Sequence, residues 1–130
     1  MDPDSGKIAA IHAGWRGLTK QIISETLVAM NSKDLKKILV WIGPHIKTSS
    51  FEVGLDVALK LAASAPRANV LFDHPYDLSK RLVDLDRVTV EQLRCLGVDE
   101  GNIWIHPTDT FQDPNYFSFR RDKVGGRLLS

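Results

Sequence analysis

The sequence predicts an α+β fold in a single domain spanning residues 1–130. Three observations carry that expectation. Strand-like and helix-like segments follow one another in mixed order, without strict β-α-β alternation. At 43% hydrophobic and 25% charged over 130 residues, the composition is that of a globular domain with one core of ordinary size. No internal repeat, low-complexity tract or linker-like stretch divides the chain.

Asp2-Pro3-Asp4-Ser5-Gly6 is a cluster of turn formers. Lys7 to His12 is short and apolar, a strand, and Ala13 to Gly17 is a Gly-rich bend. Leu18, Ile22, Ile23, Leu27 and Met30 recur at helical spacing, which predicts a helix over Leu18 to Met30, closed by Asn31-Ser32. Lys37 to Ile42 reads as a strand buried on both faces, stopped by Gly43-Pro44. Phe51 to Ala65 reads as a helix ending before Pro66, and Asn69 to Phe72 as a short strand. Leu78 to Leu96 reads as mostly helical, with Gly97 as its cap. Asn102 to His106 and Tyr116 to Arg120 alternate as strands do. Gly125-Gly126 then makes a turn into a last short strand, Arg127 to Leu129.

The start of the chain is unusual on physical grounds alone. A turn of this composition normally joins two strands, yet Met1 stands where the first should be. Either the turn is a frayed start, or the strand before it is missing. In the second case Lys7–His12 exposes an unpaired edge open to self-association.

Charge and composition exclude several function classes. With 17 Lys and Arg against 16 Asp and Glu, the net charge of +1 gives no basic excess for gripping nucleic acid or anionic lipid. The longest apolar run, Ile38 to Gly43, is far short of the ~20 residues of a membrane span. The N-terminal segment reads as a turn, not as a targeting leader. A single cysteine, Cys95, excludes an internal disulfide framework and a Cys-rich zinc finger, and fits a reducing, cytoplasmic location.

The hexapeptide His12-Ala13-Gly14-Trp15-Arg16-Gly17 carries the most chemistry. It sits where a strand turns into a helix. Unpaired N–H groups at a helix start suit an anion. Gly14 and Gly17 let the backbone approach a ligand. Arg16 adds a planar cationic fork suited to phosphate. His12 presents a ring nitrogen for a metal or a proton, and Trp15 stacks or packs. Taken alone, the same residues also describe a plain strand–turn–helix connection.

Five pieces in one order carry a family resemblance. They are His12–Gly17, Gly43-Pro44-His45-Ile46, Phe51-Glu52-Val53-Gly54, Phe117 to Asp122, and Gly126-Arg127. The chain resembles the multicopper polyphenol oxidase, or laccase-domain, family, over nearly its whole length but in the C-terminal part of the family domain only. The resemblance implies an α+β fold layered helix/sheet/sheet/helix, with mixed sheets and the N-terminal part of the domain missing. It implies zinc-dependent phosphorolysis of purine nucleosides (adenosine, inosine, guanosine, methylthioadenosine) with adenosine deaminase activity. It implies a three-ligand metal site in which His12 is one ligand, while a His and a Cys upstream of that motif are absent here. Gly14, Arg16, Gly17, Arg120 and Arg121 are the candidate phosphate- and substrate-binding residues, and His12 and Arg16 the candidate catalytic ones. Relatives commonly have Cys-Thr where Thr108-Asp109-Thr110 stands, and an Asn where Thr89 stands; both departures bear on substrate fit.

The other candidates read more plainly. Cys95, near a helix C-terminus, is expected to be buried and structural. His45 reads as a loop histidine, His74 as exposed in a turn, and His106 as ending a strand. These histidines lack a short-range zinc spacing. On a strand, Arg120 and Arg121 would alternate faces, one toward a ligand and one toward Asp122 or solvent. Glu52 and Asp56 would face one side of a helix, where Glu52 either begins the helix or supports the site. Two further functions stay open. A copper polyphenol oxidase needs many His ligands, against which four scattered histidines weigh. A non-catalytic remnant would act as a binding or dimerisation module through the open edge. With two ligands absent, the chain alone is expected to hold zinc poorly and turn over little.

Overall fold

The computed structural model describes residues 1–123. Gly125-Gly126 and the expected strand Arg127 to Leu129 lie outside the described residues, as does the Gly126-Arg127 motif. The fold is α+β with both parallel and antiparallel sheets. In chain order the elements are α1 (Trp15–Thr19), α2 (Ile22–Met30), β1 (Val40–Ile42), β2 (Glu52–Gly54), α3 (Leu55–Ser64), β3 (Leu71–Asp73), β4 (Lys80–Val83), α4 (Leu85–Leu96), β5 (Ile103–Ile105) and α5 (Phe119–Asp122).

β1 and β5 form a parallel pair in the register Val40↔Ile103, Trp41↔Trp104 and Ile42↔Ile105. A bridge between His45 and Asp109, with Thr110 N–H donating to His45 O at 3.1 Å, carries the pairing past both strand ends. β4 is the centre of an antiparallel sheet with β2 and β3 on its flanks. The core joins the two sheets to the helices. Leu18, Leu61, Val83 and Val88 are fully buried in it, with Ile38 and Val70 close behind. Each such side chain contributes roughly 1.5–3 kcal/mol of burial.

Several expected elements change, each for a physical reason. The helix over Leu18–Met30 breaks at Lys20 and Gln21, because Gln21 takes a left-handed backbone, φ 60°. On either side of the break, α1 packs on α3 and α4, and α2 packs on α4. The helix over Phe51–Ala65 begins with a strand, β2, and becomes helical only after Gly54; it ends at Ser64, before Pro66, as expected. The first part of the expected Leu78–Leu96 helix is strand β4. Asp84 then caps α4 by accepting the Arg87 N–H at 2.9 Å. Tyr116–Arg120 is not a strand. Ser118 N–H donates to the Asp122 carboxylate at 3.2 Å and Asp122 N–H to Ser118 O at 2.8 Å, which closes the helical turn α5.

β1 is shorter than expected, follows a 3₁₀ turn at Leu35–Lys37, and is not buried on both faces: Ile38 is 2% exposed but Trp41 is 63% exposed. The segment Lys7 to His12 joins neither sheet. It is exposed, and its start is fixed by the turn before it, where buried Asp2 accepts from Asp4 N–H and the Ser5 hydroxyl.

Gly97 ends α4 in the left-handed region at φ 104°, and the Val98 N–H reaches back to Leu93 O at 3.0 Å. A Cβ there would meet only Leu35 Cβ, at 3.9 Å, so replacing it tests backbone conformation alone. Gly97→Ala is expected to cost about 1 kcal/mol in urea unfolding, and Gly97→Asn less.

Candidate functional site

The bend at His12 is built from a short helix start. Gly14, extended at φ −67° and ψ 170°, is the N-cap of α1, and its carbonyl accepts the Leu18 N–H at 3.0 Å. α1 is only five residues long, so few peptide dipoles align behind it. Trp15 is partly buried against the core, and the exposed Arg16 guanidinium stacks on its ring at 4.6 Å. His12 is exposed, and its imidazole folds back over Gly14. A Cβ on Gly14 would stand 3.0 Å from His12 Nε2. Gly14 therefore makes room for the ring. Gly17 makes room for the chain: a Cβ there would lie 3.3 Å from Ile22 Cγ2 and 3.4 Å from His12 O.

Arg120 and Arg121 lie on α5, not on alternate faces of a strand. Arg121 is almost wholly consumed by its own surroundings. Its Nη1 donates to the carbonyls of Thr110, Phe111 and Asp113, each at 3.1 Å, its Nη2 to Tyr116 O at 2.7 Å, and its Nε pairs with Asp122 at 2.8 Å. It fastens the loop from 110 to 116 onto α5. The same pairing holds the Asp122 carboxyl below its usual range. Arg120 donates to Glu52 O at 2.6 Å and covers the Phe51 ring at 5.2 Å. No hydrogen bond or ion pair among the described residues joins either arginine to His12 or Arg16. The link is indirect, through β2 and α3, against which α1 lies.

The remaining histidines are engaged. His45 Nδ1 bonds Gly43 O at 2.9 Å, while its Nε2 lies 2.8 Å from Asp86 Oδ1 and 3.3 Å from Lys47 Nζ. Lys47 holds the other Asp86 oxygen at 2.9 Å. Burial alone would raise Asp86, but the imidazole of His45 and the ammonium of Lys47 outweigh it and hold the carboxyl below its ordinary value. His74 is not an exposed turn residue. Its side chain is 15% exposed, with Nε2 at 2.9 Å from Glu52 Oε2 and Nδ1 accepting the Tyr76 N–H at 3.3 Å. His106 accepts the Thr108 N–H at 3.3 Å and sits edge-on to Trp41. Glu52 does not share a helix face with Asp56. It lies on β2, where the Lys80 ammonium at 3.0 Å, with His74 beside it, holds its carboxyl below the usual range. Cys95 is exposed rather than buried, and its thiol is pushed up by the hydrogen bond to Glu91 at 3.4 Å.

The His45–Lys47–Asp86 and Glu52–His74–Lys80 clusters were not visible in the sequence. Their members are 22 to 41 residues apart where they bond between elements, and no local spacing announces such pairs. His12 is the one histidine, and Arg16 the one arginine of the three candidates, whose polar ends have no hydrogen-bond partner among the described residues.

Residues 1–130 match the family model described as multi-copper polyphenol oxidoreductase laccase. The chain is 36% identical over 124 residues to a Shigella flexneri protein named purine nucleoside phosphorylase YfiH, a match that covers 95% of this chain and 49% of that protein. It is 33% identical over 125 residues to a Haemophilus influenzae protein named purine nucleoside phosphorylase, covering 95% and 50%. The fold is similar to that of a Neisseria meningitidis protein of known structure, with TM-score 0.75, 31% identity, and coverage of 85% of this chain and 45% of that one. It is also similar to YlmD from Geobacillus stearothermophilus, with TM-score 0.75 and 27% identity. The chain spans about half the length of the curated relatives it matches.

Lowering the Glu52 pKa in the folded state has a defined consequence with pH. The stabilisation is present above the ordinary value of 4.5 and is lost as pH falls through the lower folded value. Lys80→Met is therefore expected to lower the urea midpoint at pH 7, by a margin that shrinks steadily below pH 4.5. Urea titrations of both proteins between pH 7 and pH 3 check this; a margin independent of pH contradicts it.

Proposed function

The chain belongs to the multi-copper polyphenol oxidoreductase laccase family, and from that premise we propose that it serves phosphate-dependent cleavage of purine nucleosides, with the His12–Gly17 bend as its reacting edge. The observation that carries this reading is the freedom of His12 and Arg16. Every other histidine, and both arginines of α5, are bonded within the fold. A phosphate oxygen can be held by the Arg16 fork and by the N–H groups that open α1. The stack on Trp15 keeps that fork facing solvent. Inosine, guanosine, adenosine and methylthioadenosine all fit the reading, since each offers a purine base as the leaving group. Adenosine deamination, the companion activity that the resemblance implies, belongs to the same proposal.

Zinc is the implied metal, with copper as the alternative. A catalytic zinc takes three protein ligands and keeps one position open. Among the described residues no group of three or more His, Cys, Asp or Glu side chains is placed to hold a metal. His12 can supply one imidazole, while the Cys95 thiol is engaged with Glu91, which pushes its pKa up. The described residues do not by themselves fit the ion, and no step is derived through it. Copper fits less well, since a multicopper centre needs several imidazoles and three of the four here are engaged. No helix among the described residues is long and apolar enough to cross a membrane.

Titration of labelled protein with inorganic phosphate tests the reading. The amides of Gly14 to Gly17 are expected to shift, and Arg16→Met to abolish the shift; a response confined to other residues overturns it. Gly14→Ala is expected to cost no more than about 1 kcal/mol, as an N-cap change. It should move the ring resonances of His12 and leave those of His45, His74 and His106 in place. Zinc should be taken up weakly by the 130-residue chain alone. Inosine phosphorolysis by that chain at the rate of a full-length relative would contradict the one-ligand account.

A further inference from the structure

The His12–Gly17 bend carries the proposed chemistry, yet the backbone around it is bonded mainly to itself. Leu18 N–H donates to Gly14 O at 3.0 Å, the Thr19 hydroxyl and Lys20 N–H both donate to Arg16 O at 3.1 Å, and Gln21 N–H donates to Leu18 O at 3.1 Å. All of these bonds lie within residues 14–21. Among the described residues, one hydrogen bond ties residues 12–19 to an element beyond Gln21: Gln92 Nε2, on α4, donates to Leu18 O at 3.1 Å. The same nitrogen donates at 3.2 Å to the carbonyl of Ser64, the last residue of α3, and no other described group donates to that carbonyl.

The chemistry of the amide fixes its orientation. Two acceptors need two N–H donors, and the –NH₂ end of Gln92 supplies both where its oxygen could supply neither. Packing alone would hold the short helix less specifically. Leu18 is fully buried and α1 lies on α3 and α4, but apolar contact is non-directional and leaves a helix of five residues free to roll or slide. A hydrogen bond weakens steeply once it is bent, so the Gln92 bond resists both movements. From there the path to the chemistry is short. Leu18 N–H places Gly14, and Gly14 is where the His12 ring lies, since a Cβ there would stand 3.0 Å from His12 Nε2. Arg16 and the N–H groups that open α1 belong to the same turn.

We propose that Gln92 is a positioning residue for this site. It clamps the ends of α1 and α3 together and so sets the angle at which the Arg16 fork and the opening N–H groups of α1 meet a phosphate. That role rests on the reading of the bend as the phosphate-holding edge. Gln92 does not itself touch the anion. Its loss therefore weakens phosphate binding by moving the groups that do.

The test compares the labelled full chain with Gln92→Met, which keeps the length of the side chain and its helix preference and removes both donors. Circular dichroism at pH 7 should show both folded. In Gln92→Met the amides of Gly14 to Gly17 and the ring of His12 are expected to change resonance, while the rings of His45 and His74 do not. Inorganic phosphate should bind the bend about fivefold or more weakly than in the parent. Ile38→Val lowers stability from the β1 side of the core and should leave both readouts at their parent values. A folded Gln92→Met with the bend resonances of the parent overturns the proposal, and so does Ile38→Val reproducing the changes. A parent bend that ignores phosphate would fail the phosphate reading, while the His12 and Gly14 resonances still decide the role of Gln92. A second measurement needs no variant. In the parent, both side-chain amide protons of Gln92 should exchange about tenfold or more slowly than those of exposed Gln21, and equal exchange at the two side chains overturns the clamp.

Discussion

One side-chain amide, that of Gln92, holds the arrangement on which the bend depends. Its two N–H groups donate to Leu18 O at 3.1 Å and to Ser64 O at 3.2 Å. These are carbonyls at the ends of α1 and α3, the groups that a helix leaves without partners. Leu18 O also accepts the Gln21 N–H at 3.1 Å, so Gln92 is its second partner; leaving Ser64 O unmet inside the fold would cost about 1–3 kcal/mol. Gln92 meets both from the middle of α4, whose own ends are fixed by the Asp84 cap and by Gly97. Leu18, fully buried, then has both its side chain and its carbonyl specified. Because α1 is so short, fixing Leu18 fixes Gly14, and with Gly14 the place where the His12 ring can lie.

This explains which parts of the molecule were legible in the sequence. Helix ends with local causes were readable: Pro66 after α3 and Gly97 after α4 act on the residues beside them. The strands β2 and β4 were not, because Lys80–Val83 is strand only by virtue of Glu52–Gly54 and Leu71–Asp73 on its flanks. Its apolar positions continue a helical pattern just as well. The segment Tyr116–Arg120 failed differently. Its alternation was real, but the Ser118–Asp122 exchange is local chemistry that a pattern of apolar residues does not register. The bend at His12 was legible because its chemistry lies within six consecutive residues. The role of Arg121 was not, because its acceptors are main-chain carbonyls, which carry no residue identity.

The same contrast separates structural from available polar groups. His74 serves Glu52 with one nitrogen and Tyr76 N–H with the other, so it cannot bind a ligand without surrendering a bond. Cys95 is exposed, yet the Glu91 carboxylate beside it disfavours the thiolate that chemistry would need. Exposure alone therefore does not mark a reactive group here. Freedom from internal partners among the described residues falls on His12 and Arg16, which leave the fold at a point fixed from behind by Gln92, and the proposed function rests on that freedom.

The parallel pair β1–β5 shows how a glycine can serve two ends. Parallel strands are ordinarily covered on both faces. Here Val40 and Ile103 pack on the core, while the register sets Trp41 beside Trp104 on the opposite face, 63% and 52% exposed. The rings on that face shelter one another. Trp41 stands edge-on to His106 at 6.3 Å, and His106 lies 6.4 Å from Tyr116. The Trp41 ring reaches over Gly43, where a Cβ would come within 3.4 Å of it. In the sequence, Gly43-Pro44 reads as the stop at the end of a strand and as part of the family motif Gly43-Pro44-His45-Ile46. In the fold, the missing Cβ also lets an aromatic ring lie close over the backbone just where the parallel ladder would otherwise meet water.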